Sequence, residues 1–124
     1  MPRTVLIVDD SPTIRAFARI YLKQMGLETA EAEDGVKALE QVRALGPALC
    51  VVDVDMPNMD GLAFTRELRK DPAHAALPVI LLTGDRTPEA KEKGRSAGAS
   101  DLIEKPIKGP ELQAAVKKHL EPAG

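Results

Sequence analysis

Three short apolar runs constrain this chain most: Thr4–Val8, Leu49–Val52 and Val79–Leu82. None shows the polar alternation of a strand with one wet face, so each suits a strand buried on both sides, as in a parallel sheet. Weaker runs lie near Leu27–Ala32 and Leu102–Ile103. Between the runs the period changes from strand to helix. Ile14, Phe17, Ala18, Tyr21, Leu22 and Met25 share one helix face, with Ser11 placed to cap it, Pro12 at its first position and Gly26 to end it. Ala38, Leu39, Val42 and Leu45 form a second stripe, opened near Asp34 and closed by Gly46-Pro47. Leu62, Thr65 and Leu68 form a third after Asp60-Gly61, and Leu112, Ala115, Val116 and Leu120 form the last. A weaker helix runs from Thr87 to about Ala97, with Gly94 inside it at a cost of about 1 kcal/mol relative to Ala. Strand and helix alternate five times. That order predicts an α/β fold, a doubly wound parallel sheet with right-handed crossovers and helices on both faces.

Bulk properties narrow the function. A chain of 124 residues suits one domain, expected to occupy 1–124 with no output domain attached. A formal charge of −2, scattered Lys and Arg and only three aromatic residues argue against a nucleic-acid partner. No apolar stretch approaches the roughly 20 residues of a membrane span, and Met1-Pro2-Arg3 leads directly into the first run, so a cytoplasmic location is expected. Cys50, the single cysteine, sits in an apolar run and reads as core.

In such sheets ligands sit beyond the carboxyl ends of the strands. Those ends carry Asp9-Asp10, then Asp53 followed by Val54 and Asp55, then Thr83-Gly84, then Glu104-Lys105-Pro106. Taken singly, each has an ordinary explanation: an acid before a helix, a strand-end hydroxyl, a surface lysine. The separations from 10 to 53, 53 to 83 and 83 to 105 are 43, 30 and 22 residues, each a whole number of strand-helix units. All four positions therefore fall on one edge. Carboxylates ~4 Å apart repel by about 4 kcal/mol per pair at an effective dielectric near 20. A hard divalent cation such as Mg²⁺ relieves this and commonly bridges carboxylates to a phosphate. With Lys105 as a fixed cation and Thr83 as a donor, the set describes a phosphoryl-transfer site. His74, in a loop, and His119, near the end of the last helix, lie away from it, which argues against zinc.

The segments Val5-Leu6-Ile7-Val8-Asp9-Asp10-Ser11, Asp53-Val54-Asp55-Met56-Pro57-Asn58-Met59-Asp60-Gly61, Leu82-Thr83-Gly84, Ala97-Gly98-Ala99 and Lys105-Pro106 resemble the receiver domains of bacterial two-component response regulators. The likeness is greatest to single-domain chemotaxis-type members. The resemblance, and not the periodicity, implies the flavodoxin-like strand order 2-1-3-4-5 known for chemotaxis receivers. It implies that Asp53 accepts the phosphoryl group from a sensor histidine kinase, a phosphotransfer protein or a small phosphodonor. It also implies that Asp9, Asp10, Asp53 and the backbone carbonyl of Asp55 hold Mg²⁺, Asp9 through water. Thr83 and Lys105 are expected to contact the phosphoryl oxygens, Lys105-Pro106 to be cis, and helix four, strand five and helix five to meet a downstream target. Two departures stand out. Leu102 occupies a strand-five position often held by Tyr or Phe, so no aromatic rotamer switch is available. Asp55 adds a carboxylate two residues after the acceptor, expected to repel the donor or alter metal binding. A dehalogenase-like phosphatase is the enzyme alternative, from Asp53-Val54-Asp55, but its acidic pair belongs after the lysine and here comes first.

Overall fold

The computed structural model describes residues 3–120. The strands are β1 (Thr4–Val8), β2 (Glu28–Ala32), β3 (Leu49–Asp53), β4 (Val79–Thr83) and β5 (Asp101–Glu104). They alternate with α1 (Pro12–Lys23), α2 (Gly35–Leu45), α3 (Gly61–Lys70), α4 (Pro88–Ala97) and α5 (Gly109–Leu120). All strand pairs are parallel, in the order β2-β1-β3-β4-β5. Both the class and the order are as expected.

The apolar runs are continuous because successive side chains serve opposite cores. Val5, Ile7, Val51, Ile80 and Leu82 point to the layer formed by α1 and α5. Leu6, Val8, Cys50, Val52 and Leu81 point to the layer of α2 and α3. β3 and β4 are buried along their whole length. The outer strands are different. β2 exposes Glu28 and carries Glu31, while β5 has only four residues and begins and ends in Asp101 and Glu104.

Caps fall where the chain signals them. Ser11, Asp34, Asp60 and Thr87 each accept a backbone N–H three residues on, satisfying a donor that the first helical turn leaves unpaired. Three details differ from expectation. α1 ends at Lys23 with Gln24 as its right-handed cap, and Gly26, at φ 77, instead turns the chain into β2. Met25 thus lies beyond the helix but still packs on the core. In α3 Phe64, outside the expected stripe, is fully buried together with Thr65 and Leu68, while Leu62 is half-buried. Pro72–His74 forms a short 3-10 turn.

α4 is a complete helix despite its weak stripe, burying only Gly94 and Ala97. A Cβ on Gly94 would lie 3.4 Å from both Leu102 Cδ1 and Leu81 Cδ1, an ordinary contact with mobile side-chain tips. Gly94→Ala should therefore stabilise the protein by about 0.5–1 kcal/mol, the helix-propensity gain. Urea denaturation reads this as a higher midpoint at unchanged slope; a lower midpoint would show that α4 needs the closer approach.

Candidate functional site

The sheet order reverses between β1 and β3, so the loops leaving these two neighbours part and open a crevice. Asp9 follows β1 into that crevice and is fully buried. Its N–H donates to the carbonyl of Ala32 (3.1 Å), its carbonyl accepts from Arg15 Nη1 (2.6 Å), and its Oδ1 accepts the Ser11 N–H (2.9 Å). Its other oxygen, Oδ2, is buried with no hydrogen-bond partner. The nearest cation is Lys105 Nζ at 3.8 Å. Asp53 closes β3, almost wholly buried, and its Oδ1 accepts from Lys105 Nζ (3.0 Å) and from the Asp55 N–H (3.3 Å). Asp10 is exposed at the rim. One carboxylate oxygen from each of Asp9, Asp10 and Asp53 lies within 4.8 Å of the others.

Burial is the main force on both inner acids. It pushes the Asp9 carboxyl up to about 6, with Asp53 and Asp10 adding repulsion and the Ser11 N–H and Lys105 opposing. It also raises Asp53, against the pull of Lys105 and the Asp55 N–H. One lysine cannot neutralise three carboxylates. A buried acceptor without a donor, an exposed acid at the mouth and hard oxygen ligands together suit a small divalent cation.

The structure thus brings Asp9, Asp10, Asp53 and Lys105 together. Thr83 ends β4, one residue past Leu82, the partner of Asp53 across the ladder. Its hydroxyl, however, is turned into its own loop, accepting the Asp85 N–H (3.0 Å) and donating to the Asp85 carbonyl (3.4 Å). Asp55 contributes its amide, and its side chain is exposed. The Lys105-Pro106 peptide is cis. Asp60 caps α3 as its position suggests. Cys50 is core, its thiol pushed up to about 12 by burial.

Three contributors went unread in the sequence. Arg15 holds the Asp9 carbonyl, and Arg86 Nη2 donates to the Lys105 carbonyl (3.0 Å). Gly61 is the third. A Cβ there would sit 2.3 Å from the carbonyl oxygen of Asp53 and 3.0 Å from Val54 Cα, both backbone. An Asp cap does not itself require Gly next to it, and that was the available signal. Gly61→Ala should destabilise the protein by about 2–3 kcal/mol, because rigid main chain must move. Urea denaturation tests this, and an unchanged midpoint would refute it.

Fold and rim together define a two-component signalling module. The chain belongs to the response regulator receiver domain family, whose model matches residues 5–117. Among curated proteins it is 40% identical over 110 residues to a gliding motility regulatory protein of Myxococcus xanthus, covering 89% of this chain and 14% of that protein. It is 36% identical over 105 residues to the CAI-1 autoinducer sensor kinase/phosphatase of Vibrio cholerae, covering 84% of this chain and 15% of that one. The chain therefore spans about one seventh of these relatives. Among solved structures, the chemotaxis response regulator CheY4 of Vibrio cholerae superposes with a TM-score of 0.91 at 31% identity, covering 97% of this chain and all of that one. The family is one of signalling proteins that interact with sensor kinases and typically bind Mg²⁺ at an acidic cluster. The family match is to receiver domains rather than to the dehalogenase-like phosphatase alternative. No helix among the described residues is long and apolar enough to cross a membrane.

Proposed function

We propose that Asp53 is the phosphoacceptor of a magnesium-dependent switch. The observation that carries this reading is Asp9 Oδ2, buried and without a donor beside Asp53 and Lys105. Asp9, Asp10, Asp53 and the Asp55 carbonyl would hold the ion, whose chemistry is to neutralise charge on the transferring phosphoryl oxygens. An Asp53 carboxylate oxygen attacks phosphorus as the bond to the donor histidine nitrogen breaks, and the electron pair returns to the imidazole. Lys105, already on Asp53 Oδ1, lies within reach of the incoming oxygens and stabilises them through the transfer.

Thr83 is the moving part. To donate to a phosphoryl oxygen its hydroxyl must leave Asp85, which frees the loop of residues 84–87 ahead of α4. Charge-assisted bonds from Thr83 and Lys105 contribute about 1.5–3 kcal/mol each. Near-complete reversal of a two-state equilibrium needs roughly 5.5 kcal/mol, which two or three such bonds approach. With Leu102 in place of an aromatic ring, the change reaches the surface through displacement of α4. A groove of about 620 Å³ between α4, β5 and α5, lined in part by Arg86, Lys91, Leu102, Glu104 and Lys108, is the proposed target face. The donor is a sensor histidine kinase or phosphotransfer protein, and the reaction runs in the cytoplasm.

Intact-mass measurement after incubation with acetyl phosphate tests the reading. One phosphoryl increment is expected with magnesium and none with EDTA. Amide exchange should then change across 84–98; no response there would remove α4 as the moving element.

A further inference from the structure

The loop carrying Asp55 is held at both ends, and only the inner end lies at the acidic rim. At its base, the Gly61 N–H donates to the Val54 carbonyl (3.0 Å). At its tip, Asn58 takes the left-handed conformation (φ 66) and its Nδ2 donates to Asp34 Oδ2 (2.9 Å). The next residue, Met59, accepts the Gly35 N–H (3.1 Å) through its carbonyl. A Cβ on Gly35 would come within 2.6 Å of that oxygen, so glycine is what lets the start of α2 meet the loop.

Asp34 is more than a cap. It is 5% exposed, and while Oδ1 accepts the Lys37 N–H (2.9 Å), Oδ2 is given to Asn58. Capping alone is served equally well by serine, whose single oxygen is too short to reach across. Asp34 also lies two residues after Ala32, whose carbonyl fixes the backbone of Asp9. A strap thus runs across the top of the sheet from Asp9 through Ala32, Asp34 and Asn58 to the loop whose Asp55 amide reaches Asp53.

We propose that Asp34 and Asn58 are a positioning pair that fixes the distance between the Asp9 loop and the Asp55 loop, and so sets divalent-cation affinity without touching the ion. The claim rests on the magnesium-dependent reading of the site. Partners one shell out from metal ligands commonly change affinity by 10–100-fold when removed. Here the pair holds one of two loops, so the low end applies.

The test is calorimetric titration of magnesium into the full chain. Asn58→Gly keeps the left-handed backbone and the net charge but loses the amide; its affinity should fall about tenfold. Asp34→Ser keeps the cap and should fall similarly. Combining the two should add little, because both remove one link. The exchanged pair, Asp34→Asn with Asn58→Asp, restores a donor facing an acceptor and should return affinity to within about threefold of the starting protein. That rescue separates positioning from general loosening of the loop, which the exchange would not repair. Single variants within twofold of the parent, or an exchanged pair as weak as the singles, would overturn the proposal while leaving the magnesium reading intact. If the parent chain itself took up no magnesium, both would fall together.

Discussion

Asp53→Asn should take up no phosphoryl group from acetyl phosphate, with magnesium present and at any incubation time that fully labels the parent. The amide lacks the anionic oxygen that attacks phosphorus, and the other two acids are differently placed. Asp9 is enclosed, with Oδ1 on the Ser11 amide, and Asp10 has no contact with Lys105 among the described ion pairs. Lys105→Ala should behave differently. Asp53 remains, so labelling still goes to completion, but slower by about 10²–10³-fold, the usual effect of removing one preorganised donor from charge that develops in transfer. Rapid-quench mass measurement distinguishes the two. A full phosphoryl increment on Asp53→Asn would remove Asp53 as acceptor. A normal rate in Lys105→Ala would show that the 3.0 Å contact is only structural.

The metal-free protein should lose stability as pH rises from about 4 to about 6. Burial holds the Asp9 carboxyl near 6, whereas an unfolded chain releases that proton near 3.8. Between those values the folded state binds more protons than the unfolded one, so raising the pH favours unfolding. By neutral pH the accumulated effect is on the order of 3 kcal/mol, and Asp53, raised by the same cause, acts in the same direction. Glu31, Asp34 and Asp85 have lowered values and act oppositely. Their stabilisation is present above the ordinary carboxylate range and disappears as pH falls through and below it, so they leave the upper window to the acidic rim. Urea denaturation in EDTA at pH 4.5 and 7 should show the decline, and Asp9→Asn should flatten it. Magnesium at a hundred times its dissociation constant should restore about 2.7 kcal/mol at pH 7. Equal stability at both pH values without metal would contradict the buried, unpartnered state of Asp9.

Much of this was legible in the chain because buried parallel strands and helix caps leave local signatures. The runs at Val5–Val8, Leu49–Val52 and Val79–Leu82 are all apolar since each residue faces a core on one side or the other. Counting strand-helix units puts Asp10, Asp53, Thr83 and Lys105 at one edge. The structure brings Asp10, Asp53 and Lys105 together with the neighbouring Asp9, while the Thr83 hydroxyl turns to Asp85. The strand order came only by resemblance, because periodicity makes strands but does not sort them. What escaped is non-local or rotational. Whether Leu62 or Phe64 faces inward depends on how α3 rolls against the sheet. The Thr83 hydroxyl follows the path of residues 84 and 85, which no pattern encodes. Asp34 and Asn58 are 24 positions apart, on separate loops, and only the folded chain makes them neighbours.

The two margins of the sheet restrict how anything can recognise this molecule. On one side Glu31 is engaged by Arg15 and Arg19 and Glu28 faces water; on the other, a four-residue strand is bounded by acids, with Arg86 and Lys91 drawn to Glu104. An extended peptide laid along either margin would meet fixed charge where it needs bare amides and carbonyls. Docking by main-chain zippering, which is indifferent to sequence, is thereby discouraged. On the proposed phosphorylation reading, discrimination between partners then falls to the helix surfaces, where a few substitutions can redirect a signal while the chemistry beneath stays the same.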